Sequence, residues 1–475
     1  MFTSRFATEL PETCSRVMPT PLAEPYWVCW NQALAERMQL PLVANADILG
    51  VMAGTALFQG HEPIAQKYAG HQFGGWNPGL GDGRGLLLGE WLDPSGVYWE
   101  MHLKGAGKTP YSRFGDGRAV LRSSIREFLG SEALHGLGAP TTRALALAGS
   151  TEAVYRETLE TGATLMRVAS SHIRFGHFEW LAHRQDIDQL KALTAFTIKH
   201  HFPQCQDNAD PIVSFLRAVI DQTARMIAYW MAYGFVHGVM NTDNMSIVGE
   251  TFDYGPYAFL DQTRPNAVYN HTDAEGRYAF NQQPSVAFWN LQRLAQALAP
   301  LTDSQLLAAA VSDFDQCYRK HYYELLNQRL GGSSERPIEP ELLDEWLALL
   351  AAEGKDFHTP FRRLANLPLT DWPGLKDDFI DAPRFAAWCA RIQTQTQTEA
   401  DETERQRQML ASNPVTVARS HHLQAVIDAA QTGNFGPLES FFAALQDPFT
   451  ERAEWTQWHQ PPAAAAPAPI LSCSS

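Results

Sequence analysis

The chain has 475 residues, a formal net charge of −15 and a hydrophobic fraction of 45%. That length suits two or three domains of roughly 150 residues each, with enough apolar residues to bury a core. The acidic balance argues against a nucleic-acid binder, because affinity for phosphate backbones comes from clustered Lys and Arg. Six cysteines (Cys14, Cys29, Cys205, Cys317, Cys389 and Cys473) form no C-x-x-C pair, so neither a zinc site nor a disulfide framework is expected, and a reduced compartment is. The opening "MFTSRFATELPETCSRV" lacks a basic stretch followed by an apolar one, and no run approaches the roughly 18 apolar residues of a membrane helix. A soluble, cytoplasmic protein with no membrane partner is the expectation.

In chain order, the first ~155 residues are mixed. "GLLLGEWL" and "GVYWEMHLKGAG" are short apolar runs bounded by Gly and Pro, as in strands of an antiparallel sheet. "AVLRSSIREFLGSEALHGLG" repeats its apolar residues at helical period and stops at Gly136 and Gly138. Beyond about 155 the pattern turns mainly helical. Residues 211–234, "PIVSFLRAVIDQTARMIAYWMAYG", start with Pro, carry an apolar stripe and end in Gly. "SVAFWNLQRLAQALAPL", "ELLDEWLALLAAEG" and the charged "ADETERQRQML" also read as helices. The Pro/Ala-rich end "QPPAAAAPAPILSCSS" reads as a flexible tail.

Four groups suit a nucleotide site. In "GLGDGRGLLLGE", Gly79, Gly81, Gly83 and Gly85 alternate ahead of a strand, so backbone N–H groups can approach phosphate oxygens and Arg84 can pair with one. The competing reading is a plain hairpin turn. Lys104 ends the next strand in a chain with 8 Lys against 29 Arg. It suits α/β-phosphates or, alternatively, an ordinary sheet edge. Glu127, on the following helix, can orient Lys104 through an ion pair, with Glu132 as a competitor. Between them lies "RFGDGRAV", whose Asp116-Gly117 is either a turn or a flap over the nucleotide.

The fourth group is "HGVMNTDNMSIVGETFDYG", which starts at His237. It parallels the kinase pattern H-R-D-x-x-x-x-N…D-F-G, whose Asp is the base. Val239 stands at that Asp, while Asn244 and the D-x-G residue Asp253 are kept, both oxygen ligands suited to Mg²⁺. Arg167 and Arg174 are seven apart, which on a helix would share one face; with His172 and His177 this suits anion binding, and from spacing alone it suits a solvated helix face equally well. His71 and His102 read as structural.

The segments "YAGHQFGGWNPGLGDGRGLLLGE", "HLKGAGKTPYSRFGDGRAVLRSSIRE", "PTTRALAL", "HGVMNTDNMSI" and "DYGPYAFLD", with the terminal Cys-Ser-Ser, resemble the selenoprotein O (YdiU/SelO) family of pseudokinase-like protein adenylyltransferases. The resemblance spans nearly the whole chain. It implies an α+β, protein-kinase-like, two-lobed fold with an additional helical C-terminal region. The matching division is a mixed N-lobe over 1–155, a mainly helical C-lobe over 156–330, a helical extension over 331–462 and the tail 463–475. It further implies ATP bound flipped relative to kinases and AMP transferred to Ser, Thr or Tyr of protein substrates, with Mg²⁺ or Mn²⁺. UTP remains a possible alternative donor.

Residue by residue, the resemblance implies nucleotide contacts from Gly81, Gly83, Arg84, Asp116 and Gly117, and phosphate contacts from Lys104 (paired with Glu127), Arg167 and Arg174. Asp243 is implied as the base, Asn244 and Asp253 as metal ligands, with Asp253 also at the nucleotide. One departure is that "RPNAVYNHTD" lacks the Cys that family members can pair with the terminal one, so a redox switch through Cys473 is not expected. A mixed disulfide of Cys473 with a substrate or glutathione stays open. A kinase-like phosphotransferase and a non-catalytic nucleotide-binding scaffold are the competing functions.

Overall fold

The computed structural model of the chain describes residues 1–396, 402–463 and 471. Cys473 and nearly all of the expected flexible tail lie outside the described residues. The fold is α+β: an antiparallel sheet followed by a long helical region. The strand order is Cys14–Arg16, Ile64–Gln66, Gly85–Leu92, Tyr98–Lys104, Leu159–Ala169, Arg143–Tyr155 and Tyr26–Trp30, with Phe2–Thr3 and Ala119–Val120 added at the sides.

Both sheet faces are covered, which explains why "GLLLGEWL" is apolar without alternation. On one face, Leu86, Leu88, Met101 and Leu103 pack with Leu34 and Met52 of two short helices. On the other, Leu87 and Leu165 join the large core of helix Leu121–Gly136 and the helical region. The sheet runs past the expected boundary near 155: Tyr155 and Leu159 flank the turn of its longest hairpin, and the last strand ends at Ala169.

Helix Pro211–Ala232 forms as its pattern suggests. Asp210 accepts hydrogen bonds from the Ile212 and Val213 amides at 3.0 Å, and Pro211 occupies a position whose N–H would go unused. Gly234, at φ 66, ends it in the left-handed turn that favours glycine. The chain then enters strand Phe235–Val236, which pairs with Ala258–Phe259. That pairing pins both ends of the loop 237–257, which carries Asp243, Asn244 and Asp253.

The C-terminal helices reach back to the sheet. Helix Gly436–Gln446 lies on helix Leu121–Gly136, where a Cβ at Gly136 would stand 2.1 Å from the Leu445 carbonyl oxygen. Phe442 meets Phe128 edge-on at 5.0 Å, one residue from Glu127. The last helices therefore brace the helix that carries Glu127. Trp346, Trp372 and Trp388, each at most 1% exposed, stack where the same large core extends into the C-terminal region.

Candidate active site

A cleft of about 780 Å³ opens between the sheet and the loop 237–257. Gly81, Gly83, Arg84, Lys104, Asp116, Gly117, Arg167, Arg174, Asp243, Asn244 and Asp253 all line it, and Glu127 lies directly behind. Lys104 is no edge residue: its strand runs between Gly85–Leu92 and Leu159–Ala169, with Gly85 and Leu165 as its partners.

Lys104 is ion-paired with one oxygen of Glu127. The other oxygen accepts from Arg167 Nε at 3.0 Å and Nη2 at 2.5 Å. Arg167 Nη2 also donates to Asp253 Oδ1 at 2.7 Å, and Arg174 pairs with Asp253 Oδ2. Arg174 Nη1 then donates to the Asp243 carbonyl oxygen at 2.7 Å. Three cations and two carboxylates form one chain with an excess positive charge, and Arg84 adds another at the exposed rim. Such a cleft attracts a polyanion.

Three expectations need correction. Arg167 and Arg174 share no helix: Arg167 is in strand Leu159–Ala169 and Arg174 is the N-cap of helix Phe175–His183. They converge because the chain turns between them. Glu132 does not compete for Lys104, since it holds Arg143 at 2.7 and 2.8 Å. His172 and His177 do not add to the anion site. His172 is bound to Glu100 at 2.8 Å, and His177 Nδ1 accepts from the Arg174 amide at 3.0 Å.

The glycines of the turn are required by packing. Gly81 has φ 141, and a Cβ there would stand 2.6 Å from Tyr111 Cγ; at Gly83 it would stand 2.9 Å from the Tyr111 carbonyl oxygen. The turn thus lies against residues 111–117, which line the same cleft. Within that segment Asp116 is held by Arg156 at 2.7 and 3.0 Å and accepts from the Arg118 amide at 2.9 Å.

Asp243 and Asn244 share the short 3₁₀ turn Thr242–Asn244. Asp243 Oδ2 accepts from Gln72 at 3.1 Å, whereas its buried Oδ1 has no hydrogen-bond partner. Asn244 donates its amide to the Val239 carbonyl at 3.0 Å, which turns its own oxygen the other way. Asp253 sits at φ 61, a left-handed conformation uncommon in non-glycine residues that Asp adopts more readily than most.

Asn244 and Asp253 bring two hard oxygen donors to the cleft, the donor type a divalent ion takes together with phosphate and water, and both Asp253 oxygens are here paired with Arg167 and Arg174. Among the described residues no cluster of three His, Cys, Asp or Glu forms an all-protein cage. Of the two histidines expected to be structural, His71 Nδ1 meets Glu179 at 2.5 Å, and His102 stacks on His172 at 4.8 Å while also lining the cleft.

The family model for "Protein adenylyltransferase SelO" matches residues 1–446. The chain belongs to the SelO family. It is 48% identical to the "Protein nucleotidyltransferase YdiU" of Aeromonas hydrophila over 99% of each chain. The proteins of the same name from Aliivibrio salmonicida (44%, over 99% of this chain and 98% of that one) and Klebsiella pneumoniae strain 342 (46%, over 95% of each) are similar throughout as well.

Electrostatics separate the acidic groups of this SelO-family cleft. Burial pushes the Asp243 carboxyl up to about 7, against a smaller opposing effect of Gln72 and Arg174. Burial also acts to raise Asp253, but Arg174, Arg167 and Lys104 together hold it well below the ordinary range. One carboxyl is therefore poised to exchange a proton near neutral pH and the other stays ionised. Burial lowers the Lys104 ammonium to about 8, with Glu127 opposing that shift.

Sequence reasoning missed Gln72, Asn241, Tyr278 and Arg156. Arg156 carries no motif signal. The other three meet in one network around "GHQFGGWN", where paired glycines between polar and aromatic residues signal a tight hairpin.

Proposed function

We propose that this chain is a protein adenylyltransferase that moves AMP from ATP to a Ser, Thr or Tyr hydroxyl of a protein. The observation that carries this reading is the placement of Asp243 in the cleft. Val239 occupies the place of the kinase Asp and has no proton acceptor, while Asp243, with one unpartnered oxygen, stands beside the cationic cluster. The sheet with its Lys104–Glu127 pair, followed by a helical region with the pinned loop, supports a protein-kinase-like arrangement. In it, the N-lobe expected over 1–155 extends to the end of the sheet at Ala169, the helical region up to 330 acts as the C-lobe and 331–462 as a bracing extension.

In this account ATP enters flipped. Lys104, Arg167 and Arg174 would hold the β- and γ-phosphates deep in the cleft. Gly81, Gly83, Arg84, Asp116 and Gly117 would contact the nucleotide. The acceptor oxygen attacks the α-phosphorus and passes its proton to Asp243. The bond from the α-phosphorus to the α,β-bridging oxygen breaks, and pyrophosphate leaves with that oxygen. Positive charge fixed where the leaving group departs is electrostatic catalysis. Asn244 and Asp253 would hold Mg²⁺ or Mn²⁺, which when bound neutralises charge on the phosphates.

The test is mass spectrometry of a protein acceptor after incubation with ATP, using wild type and Asp243→Ala. The expected product is an AMP adduct on a hydroxyl residue from wild type only, with ATP binding kept in the variant. An Asp243→Ala variant with full transfer removes Asp243 as base, and a phosphate adduct without AMP identifies a kinase.

A further inference from the structure

The hairpin Gly70–Asn77 belongs to none of the assigned roles, yet it is fastened to the loop 237–257 at three points and to Tyr278 at a fourth. The His71 amide donates to Thr242 Oγ1 at 2.7 Å. The Phe73 amide donates to Asn241 Oδ1 at 3.1 Å and to the Tyr278 hydroxyl oxygen at 3.0 Å. Tyr278 in turn donates to Asn241 Oδ1 at 2.7 Å, and Gln72 Nε2 donates to Asp243 Oδ2 at 3.1 Å.

The turn is tight. Gly70, His71 and Gln72 pair with Asn77, Trp76 and Gly75, leaving Phe73 (φ 50) and Gly74 (φ 83) as a two-residue connection with both residues left-handed. Phenylalanine at positive φ is strained, and such strain persists where surrounding contacts overdetermine it.

We infer that Gln72 is a positioning residue for Asp243: by holding Oδ2 it sets the orientation of the carboxyl group at the cleft. The inference rests on the reading of Asp243 as the base. Gln72 is itself fixed from behind, since its Oε1 accepts from Asn77 Nδ2 at 3.2 Å across the hairpin. The amide is thus held at both ends although the side chain is only half-buried and has water available. The carboxylate oxygen left over, Oδ1, is the one without a partner.

Gly70 completes the cradle. A Cβ there would stand 2.7 Å from Asp243 Oδ1 and 3.0 Å from Asp243 Cβ, so only glycine leaves that oxygen its place. The base of the hairpin is clamped as well: the Ala69 amide donates to the Gly176 carbonyl at 3.1 Å, and a Cβ at Gly176 would stand 2.0 Å from the Ala69 carbonyl oxygen. Positioning by a hydrogen-bonded neighbour matters because a displacement of about 1 Å at a reacting group costs on the order of 100-fold in rate.

The test compares Gln72→Leu and Gln72→Glu with wild type for AMP transfer from α-labelled ATP, and adds the Gln72→Leu/Asp243→Ala double variant. Melting temperature and KM for ATP are measured alongside. Both single variants are expected to lose roughly 10- to 100-fold in kcat with KM for ATP nearly unchanged. At alkaline pH an ionised Glu has the shape of Gln but no donor, so it fails like Leu, whereas a merely structural side chain would tolerate it. Gln72→Leu is expected to add no loss to Asp243→Ala. A Gln72→Glu fully active at alkaline pH, or the same fractional loss with and without Asp243, overturns the role of Gln72 alone. A wild-type chain that transfers no AMP overturns the reading beneath it.

Discussion

Glu127→Gln separates the electrostatic account of the cleft from a purely steric one. Glu127 is 2% exposed and lies between Lys104 and Arg167, so the variant keeps its shape and loses its charge. A pair of unit charges about 4 Å apart near a protein surface is worth about 4 kcal/mol, which is roughly three pKa units. Lys104 starts at about 8 because burial lowers it and Glu127 opposes the loss. Without Glu127 it falls below neutrality, and at pH 7.5 the ammonium becomes a neutral amine. Arg167 cannot follow, because a guanidinium stays charged. The phosphates then lose one charge-assisted contact, worth about 1.5–3 kcal/mol, so the Kd for ATP rises roughly 10- to 100-fold. Calorimetric titration of ATP with Mg²⁺ from pH 6 to 9.5 reads this directly. Wild-type affinity should fall as pH rises through about 8. The variant should already be weak at pH 7.5 and recover on acidification. An unchanged Kd at pH 7.5, or a transition still near 8 in the variant, refutes the reasoning.

Gly70→Ala should lower kcat strongly with little change in melting temperature, because its Cβ intrudes on Asp243 Oδ1; steady-state kinetics beside a thermal melt checks this. Glu250 is raised by burial from 4.5 to about 7, so the folded state holds that proton more tightly than the unfolded one. Its stabilising effect is present below about 4.5 and is lost as pH rises through about 7, amounting to at most roughly 3–4 kcal/mol. The melting-temperature difference between Glu250→Gln and wild type should therefore grow more favourable to the variant across that window, and a pH-independent difference contradicts it. Trp388→Ala removes a fully buried ring stacked on Trp346 at 4.6 Å, at a cost of about 3–5 kcal/mol. Thermal melts should show the loss, while ATP affinity at a temperature where the variant is folded stays close to wild type.

Local pattern made the elements of the fold legible. Strands Gly85–Leu92 and Tyr98–Lys104 and helices Leu121–Gly136 and Pro211–Ala232 coincide with apolar runs whose ends Gly, Pro and Asp mark. What stayed hidden is non-local. The choice between Glu127 and Glu132 depends on Arg143, which arrives from a different strand. The spacing of Arg167 and Arg174 fits a helical face equally well, although a strand end and a helix N-cap hold them. Gln72 meets Asp243 across 171 residues of chain, and no periodicity encodes such a contact. The bracing of the Glu127 helix by Gly436–Gln446 had no motif either, because it is ordinary apolar packing with a glycine at the closest approach.

Parallel incubations of the wild-type chain and a protein acceptor with ATP labelled at the α- or the γ-phosphate test the central claim most directly. A flipped nucleotide with Asp243 as base predicts protein-bound α-label, release of the γ-label as pyrophosphate, and loss of labelling in Asp243→Ala. Protein-bound γ-label without α-label would contradict it.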